Sequence, residues 1–333
     1  MRKGGPGAWA LSEELIGQTI GGYQILRTIG RGGMGVVYEG QRVADGHPVA
    51  IKVPRQELRG NPEYLERFLH EARTAARLRH PRIVATYEVA AEGDFPFIVM
   101  EYVRGRTLAM AIRKAYKFDA DQALDIVHQV ANAVAFIHAN DTLHRDIKPA
   151  NILLDDEGRA KLMDFGVARG QSRLEEGAIA DEAWIGTAAY QSPEQLDGRN
   201  VDLRADVYAL GVVLFEMLAG RVPYEAQEKE SLKREILTCP PPLERLANPT
   251  VPPLLTEVLD CALAKNPDDR YSSAGEFLAD LEEVMRQMGL KPQRIREEPP
   301  PPIEPSAEPA SETPGSRPGA IGNLIRGLFR GSA

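Results

Sequence analysis

Cysteine is scarce: Cys239 and Cys261 are the only two in 333 residues. Two thiols so far apart support neither a disulfide framework nor a cysteine metal site, so reduced thiols are expected. Positive charge is not in excess either, since the net charge is −8, which argues against a general nucleic-acid binder. No run of about eighteen apolar residues occurs, and Met1-Arg2-Lys3-Gly4-Gly5 opens the chain without a hydrophobic signal core. The expectation is therefore a cytoplasmic protein with no transmembrane segment. What is present is 43% apolar residues over a length that suggests about two domains, enough for a sizeable core.

The most informative stretch is His144-Arg145-Asp146-Ile147-Lys148-Pro149-Ala150-Asn151, followed by Asp164-Phe165-Gly166. Together these supply a base, a cation suited to phosphate and two oxygen ligands of the kind Mg²⁺ prefers. Taken singly, Asp146 reads equally well as a turn former, Asn151 as a cap and His144 as a core histidine. In this order and spacing the stretch resembles the catalytic and metal loops of eukaryotic-like (bacterial-type) serine/threonine protein kinases, with Lys148 in the place that serine/threonine members fill with lysine.

That resemblance implies an α+β, bilobal fold: a small antiparallel β-rich lobe with one key helix, then a larger helical lobe, with a cleft between them. It also implies transfer of the γ-phosphoryl group of ATP to Ser/Thr hydroxyls of protein substrates, with autophosphorylation. Asp146 would orient the acceptor hydroxyl, Lys148 would neutralise charge on the moving group, and Asn151 and Asp164 would hold Mg²⁺, or Mn²⁺ in its place.

The upstream sequence can be weighed against these implications. In Ile29-Gly30-Arg31-Gly32-Gly33-Met34-Gly35-Val36-Val37 the glycines follow an alternating run from Tyr23 and lead into β-branched residues. They sit in a hairpin, unlike a dinucleotide-binding turn that opens a helix, and no Gly-Lys-Ser/Thr follows to make a Walker loop. Such a bare hairpin brings backbone N–H groups close to phosphates. Val49-Ala50-Ile51-Lys52-Val53 is an apolar strand holding one cation, and a buried lysine needs a carboxylate. The next helix has Asn61 as its cap and Pro62 at its first position. Leu65, Phe68, Leu69, Ala72, Ala75 and Ala76 follow at helical spacing until His80-Pro81. By periodicity alone Glu71 is a solvated charge like Glu63, Glu66 and Arg73. The matching order of motifs instead implies a pair with Lys52, which would contact the α- and β-phosphates. Phe97 to Val103 resembles the hinge, with backbone groups of Glu101 and Val103 at the adenine edge and Met100 behind. The resemblance thus assigns nucleotide contacts to residues 29–37, Ala50, Lys52, Glu101 and Val103.

Farther on, helical patterns run over Ala120–Asn140, Val207–Ala219 and Ala274–Met288, with Gly289 as a stop. Ser192-Pro193-Glu194 stands where most kinases carry Ala-Pro-Glu; the family pairs Glu194 with Arg270, and Asp206 receives backbone N–H groups of the catalytic loop. Thr187 resembles the threonine set against Asp146 and Lys148. Arg145 implies activation by a phosphate on the segment from Asp164 to Glu194, yet the usual threonine places read Ile179-Ala180-Asp181-Glu182. Either Asp181 or Glu182 gives Arg145 a fixed carboxylate, or the loop, with Glu175 and Glu176, is merely solvated acid.

The expected organisation is an extension at 1–22, a kinase domain at 23–288 with lobes near 23–100 and 104–288, and a Pro/Glu-rich tether at 289–319. A segment at 320–333 closes the chain, with Ile321, Leu324, Ile325, Leu328 and Phe329 at helical spacing beside Arg326 and Arg330. Too short to span a bilayer, it suits a partner groove or a membrane surface, or else is a frayed tail with Gly322 and Gly327 against a helix. Dimerisation through the small lobe enters by family analogy. A pseudokinase scaffold, binding partners through fold and tail, is the alternative of a different class.

Overall fold

A computed structural model describes residues 15–32, 35–55, 60–92, 95–115, 118–164, 181–246 and 251–292, with backbone alone at 115 and 181–183. These residues fall into two compact units, one made of 15–79 and 85–102, the other of 80–84 and 103–292. Among them no helix is long and apolar enough to cross a membrane, and Cys239 and Cys261 are both unpaired thiols.

The first unit is a six-stranded sheet in the order β1-β2-β3-β4-β6-β5. Its strands are β1 (Thr19–Ile20), β2 (Tyr23–Gly32), β3 (Gly35–Arg42), β4 (Pro48–Val53), β5 (Thr86–Glu92) and β6 (Phe95–Glu101), all paired antiparallel. β4 is central, between β3 and β6, which is why its sequence is almost unbroken apolar. Side chains alternate across it. Val49, Ile51 and Val53 join Tyr23, Ile25, Tyr38 and Phe97 in one core. Ala50 and Lys52, opposite Met100 and Ile98, point to the other face, where Ile98 packs with Phe68, Leu69 and Ala72 of the helix α1 (Pro62–Arg77). Leu15 and Ile20, upstream of position 23, are buried in the first of these cores.

The cap of α1 forms as its sequence suggests, with the Asn61 side chain accepting from the Tyr64 N–H and Pro62 in the first turn. The helix ends at Arg77, ahead of His80-Pro81, because buried Leu78 is already extended at φ −99°, ψ 97°. The short stretch 80–84 then belongs to the second unit: Ile83 bridges Leu162, and the Val84 N–H donates to the Leu162 carbonyl at 2.9 Å.

The second unit is helical around α3 (Ala120–Ala139), α6 (Arg204–Ala219) and α9 (Ala274–Gln287), with a small sheet of β7 (Gly105–Thr107), β8 (Ile152–Asp155) and β9 (Ala160–Leu162). It also contains α2 (Leu108–Ala115), α4 (Asp181–Ala188), α5 (Pro193–Leu196), α7 (Lys229–Thr238) and α8 (Pro253–Ala262). The apolar run in α6 is buried almost all round, from Val207 and Tyr208 to Phe215 and Met217. α8 crosses so closely that a Cβ on Gly211 would meet that of Ala262 at 3.0 Å. Gly220 closes α6 in the left-handed conformation at φ +76°, its N–H on the Glu216 carbonyl. α9 is joined to α3 by His128 Nε2 and the Glu282 carboxylate at 3.1 Å.

Candidate active site

In the first unit, β4 and α1 bring Lys52 and Glu71 together, Nζ to Oε1, at 3.6 Å. Each residue is only 7% exposed, so Glu71 is not the solvated charge that periodicity alone suggests; it stands three residues after Phe68 on the buried stripe. Each charge makes the burial of the other tolerable. Ile29–Gly32 end β2 and Gly35–Val37 begin β3, with Gly30 opposite Val37, Arg31 opposite Val36 and Gly32 opposite Gly35. The hairpin is as expected; Gly33 and Met34 lie outside the described residues.

Its glycines have different reasons. A Cβ on Gly35 would lie 2.1 Å from the Val53 carbonyl oxygen, so β4 excludes any larger residue. On Gly32 a Cβ would meet no described atom within 4 Å, and on Gly30 only Val37 Cβ at 3.8 Å. Neither has a left-handed φ. The fold does not require glycine at 30 or 32, and a bare backbone there leaves room for a close approach from outside.

Ala50 is buried on the Lys52 face. Glu101 ends β6, where its N–H donates to the Ala85 carbonyl at 2.8 Å and its Oε2 accepts from the Ala85 N–H at 3.2 Å. The division between the units falls after Tyr102, so Val103 opens the second.

In the second unit the catalytic-loop residues converge. Lys148 Nζ donates to the Asp146 carboxylate at 3.0–3.1 Å, and Asn151 Nδ2 donates to Asp146 Oδ2 and to its carbonyl, both at 2.8 Å. Both oxygens of Asp146 are thereby oriented. Asn151 commits its NH₂ to this task, so its oxygen is the atom with which it would hold a metal.

The loop is held from beneath by Asp206, in the first turn of α6. Its carboxylate accepts from the backbone N–H of His144 and of Arg145, each at 2.8 Å, and from His138 Nε2 at 3.0 Å. Burial would raise the Asp206 pKa, but the His138 hydrogen bond and the charges and N–H groups around it outweigh that and hold it below the ordinary range. The support fixes an unfavourable backbone, since Arg145 has φ +63°.

His144 is fully buried. Its Nδ1 accepts from the Asp146 N–H at 3.3 Å, so Nε2 carries the proton toward the Met163 carbonyl at 3.2 Å. Burial lowers its pKa, consistent with a neutral ring. The Met163 N–H donates to the Asn151 carbonyl at 2.9 Å, and Asp164 follows, half-buried, at φ +56°. Of the three non-glycine residues with positive φ among those described, two, Arg145 and Asp164, flank this loop, as strain at a working site would.

Arg270 grips Glu194 through two bonds of 2.8 and 2.9 Å, and its remaining donors reach the carbonyls of Ala264, Lys265 and Arg204. Thr187 lies in α4, and Thr187 and Asp146 wall the same small cavity. Phe165, Gly166, Ser172, Glu175 and Glu176 lie outside the described residues, as do the side chains of Asp181 and Glu182 and everything beyond 292.

Sequence reasoning passed over His138, which lies within the helical pattern of Ala120–Asn140. Its Nδ1 also accepts from the Ala274 N–H at 3.4 Å, so it links α6 to the start of α9. A histidine inside an otherwise aliphatic helix face was the signal.

The donor set suits a hard divalent cation carried by phosphate. Asn151 and Asp164 offer oxygens, and no cluster of three or more His, Cys, Asp or Glu suited to a metal occurs among the described residues. A Mg²⁺ ion would need further oxygen ligands beyond these two.

The chain is similar to known proteins over most of its length. A family model described as the protein kinase domain matches residues 23–285. Serine/threonine-protein kinase PrkC of Bacillus subtilis is 40% identical over 268 residues, 80% of this chain and 41% of PrkC. Serine/threonine-protein kinase PknB of Mycolicibacterium smegmatis is 40% identical over 265 residues, 78% of this chain and 42% of PknB. The chain thus spans about two fifths of the length of these curated relatives. The crystal structure of the PknI kinase domain of Mycobacterium tuberculosis aligns with a TM-score of 0.63 at 30% identity, covering 82% of this chain and 99% of that one.

Proposed function

The chain belongs to the protein kinase domain family, among its bacterial-type serine/threonine members, and from that premise we propose that it transfers the γ-phosphoryl group of ATP to Ser/Thr hydroxyls of proteins. The observation that carries the proposal is the Asp146 carboxylate, pinned by Lys148 and Asn151 on a loop whose left-handed Arg145 is tied to Asp206.

Each residue then has a task. Asp146 receives the acceptor hydroxyl and takes its proton as the oxygen attacks phosphorus and the bond from phosphorus to the departing ADP oxygen breaks. Lys148, already within 3.1 Å of Asp146, neutralises charge on the group in flight. Lys52 binds the α- and β-phosphates, and Glu71 keeps its ammonium in place. The stretch 29–37 would contact the phosphates through its backbone N–H groups, Ala50 would contact the base, and the backbone of Glu101 and Val103 would contact its edge. Asn151 and Asp164 would hold Mg²⁺, or Mn²⁺ in its stead. The bound ion supplies neutralisation of the phosphate oxygens. His144, Asp206 and Arg270 touch none of the reacting atoms and act by positioning those that do.

The catalytic domain in this proposal is 23–288, with residues 15–22 completing the core of the first unit. ATP supply and the two free thiols favour a cytoplasmic setting. Dimerisation rests on analogy and enters no step above. Incubating the purified chain with labelled ATP, Mg²⁺ and a generic protein acceptor tests the reading: label on serine or threonine supports it, and none on any residue defeats it.

The glycines allow a sharper check. Gly35→Ala is expected to destabilise the first unit by about 1–3 kcal/mol, since the new methyl collides with the Val53 carbonyl. Gly32→Ala, with open space for its methyl, should leave thermal unfolding unchanged and instead raise the KM for ATP. Equal effects of the two on unfolding would refute the assignment.

A further inference from the structure

Between Glu101 and Asp119 the sequence has Arg104, Arg106, Arg113, Lys114 and Lys117 and no acidic residue, in a chain of net charge −8. Arg104, Arg106, Arg113 and Lys114 are exposed, and none of these side chains forms an ion pair or a hydrogen bond among the described residues. Met110, 52% exposed, lies among them. On α2 it shares a face with Arg113 and Lys114, three and four residues on, while Leu108, Ala111 and Ile112 are buried on the opposite face.

The fold accounts for only part of this charge. Arg113 and Lys114, in the last turn of α2, suit the helix dipole. Arg106 stands just ahead of the first turn, where a cation is disfavoured, and that turn has no acidic residue to offset it. Nor does the helix start use Arg106, since Thr107 Oγ1 already accepts from the Met110 N–H at 3.3 Å. Nearby acids are engaged elsewhere: Asp155, opposite Gly105 on β8, accepts from Arg159 Nε at 2.6 Å, Glu157 pairs with Arg159, and Asp119 caps α3. Asp156 remains, exposed one residue beyond Asp155, and no ion pair joins it to Arg104.

We propose that this basic face docks an acidic, extended segment of a partner protein, with its carboxylates on Arg104, Arg106, Arg113 and Lys114 and an apolar side chain against Met110. Composition favours that occupant. Arginine and methionine are enriched at protein interfaces, and a planar guanidinium offers paired donors that match a carboxylate. A helix lying on a membrane seats Trp, Phe or Leu in the lipid, whereas α2 buries Leu108 and Ile112 in its own core. The net charge of −8 repels a long polyanion or an anionic bilayer more than it repels a short segment with a few carboxylates. Size agrees, because α2 is about 12 Å long, the span of about four extended residues. Exposed ion pairs are individually weak, so docking should need several at once and should fade as salt rises. α2 packs against the Pro149–Asn151 turn, which places the docked segment beside the catalytic loop. The docking itself does not depend on phosphotransfer.

The test follows the fluorescence anisotropy of a fluorescein-labelled peptide, six glutamates around a central leucine, titrated with the full chain in the absence of nucleotide. Saturable binding is expected. Arg113→Glu with Lys114→Glu should weaken it about tenfold, Arg104→Gln with Arg106→Gln about fivefold, and salt of about 0.3 M should abolish it. Both double variants should keep the parental Tm, since they remove no side-chain partner; if one pair lowers it, the other makes the comparison. The same peptide with glutamine at every glutamate should not bind, and a photoreactive form of the acidic peptide should label residues within 104–114. Lack of saturable binding, binding indifferent to both double variants, equal binding of the glutamine peptide, or labelling elsewhere overturns the proposal. So does tighter binding of phosphatidylglycerol vesicles or of a single-stranded oligonucleotide that the same variants abolish, which would assign the face to lipid or to nucleic acid.

Discussion

Asp146→Asn lowers phosphoryl transfer by roughly 10²–10⁴-fold, the usual worth of a positioned acid–base group, with the loss in kcat and little change in the KM for ATP. The reason is chemical and geometric. The amide cannot accept a proton at neutral pH, and it has one acceptor oxygen where the carboxylate has two. In the parent, Lys148 reaches both oxygens and Asn151 donates to Oδ2; in the variant an NH₂ must face one of these donors. That misfit is local, because the loop is still held by Asp206 through the backbone of His144 and Arg145, so thermal unfolding should move little. Steady-state kinetics beside a melting curve make the comparison. A variant that keeps a tenth or more of the parental kcat would remove Asp146 from the reaction.

Glu194→Gln should have the largest effect on stability. Arg270 and Glu194 are almost wholly buried and joined by two hydrogen bonds. Removing the carboxylate leaves a guanidinium with no counter-charge at that point, and breaking a buried pair in this way costs about 3–5 kcal/mol. For a unit of this size that corresponds to a fall in Tm of roughly 6–20 °C. Denaturation of the parent and variant checks it, and a shift below about 2 °C would mean that the carbonyls around Arg270 suffice on their own.

The same pair makes a pH-dependent contribution. Burial alone would raise the Glu194 carboxyl, but the hydrogen bonds and charge of Arg270 outweigh it and hold the pKa below its ordinary 4.5. A folded pKa below the unfolded one means that the contribution is fully present above that ordinary value and is lost as pH falls through the depressed one. The parent should therefore lose stability more steeply than Glu194→Gln below about pH 4.5, by at most about 1.4 kcal/mol per pH unit for this one proton. Equal slopes would place the Glu194 pKa at its unfolded value.

Much of the architecture was legible because it is local. The alternation in Pro48–Val53, the Asn61-Pro62 start of α1, the apolar run of α6 and the Gly289 stop after α9 each depend on residues a few positions apart. The eight-residue catalytic loop was legible for the same reason. By contrast, Ala188 and its predecessors form a helix whose sequence has no clear apolar face, with Gly186 inside it, and nothing local announces it. The burial of Leu15 and Ile20 before position 23, and the passage of 80–84 into the second unit through Leu162, depend on pairing with distant strands.

The amino-acid order alone determined which chemical groups this protein brings to bear: one lysine in an apolar strand, a bare glycine hairpin, and a base, cation and oxygen ligands at fixed spacing. The motif order also implied Glu71 as the partner of Lys52; only the tertiary structure buries the two together, against what periodicity suggests. It also decided that His138 is a support, and that Arg145 and Asp164 bear left-handed backbones. Those outcomes are set by burial and by hydrogen bonds between residues far apart in the chain. A side chain's own neighbours in sequence do not reveal which distant surface will exclude water from it or which distant carboxylate will offset its charge.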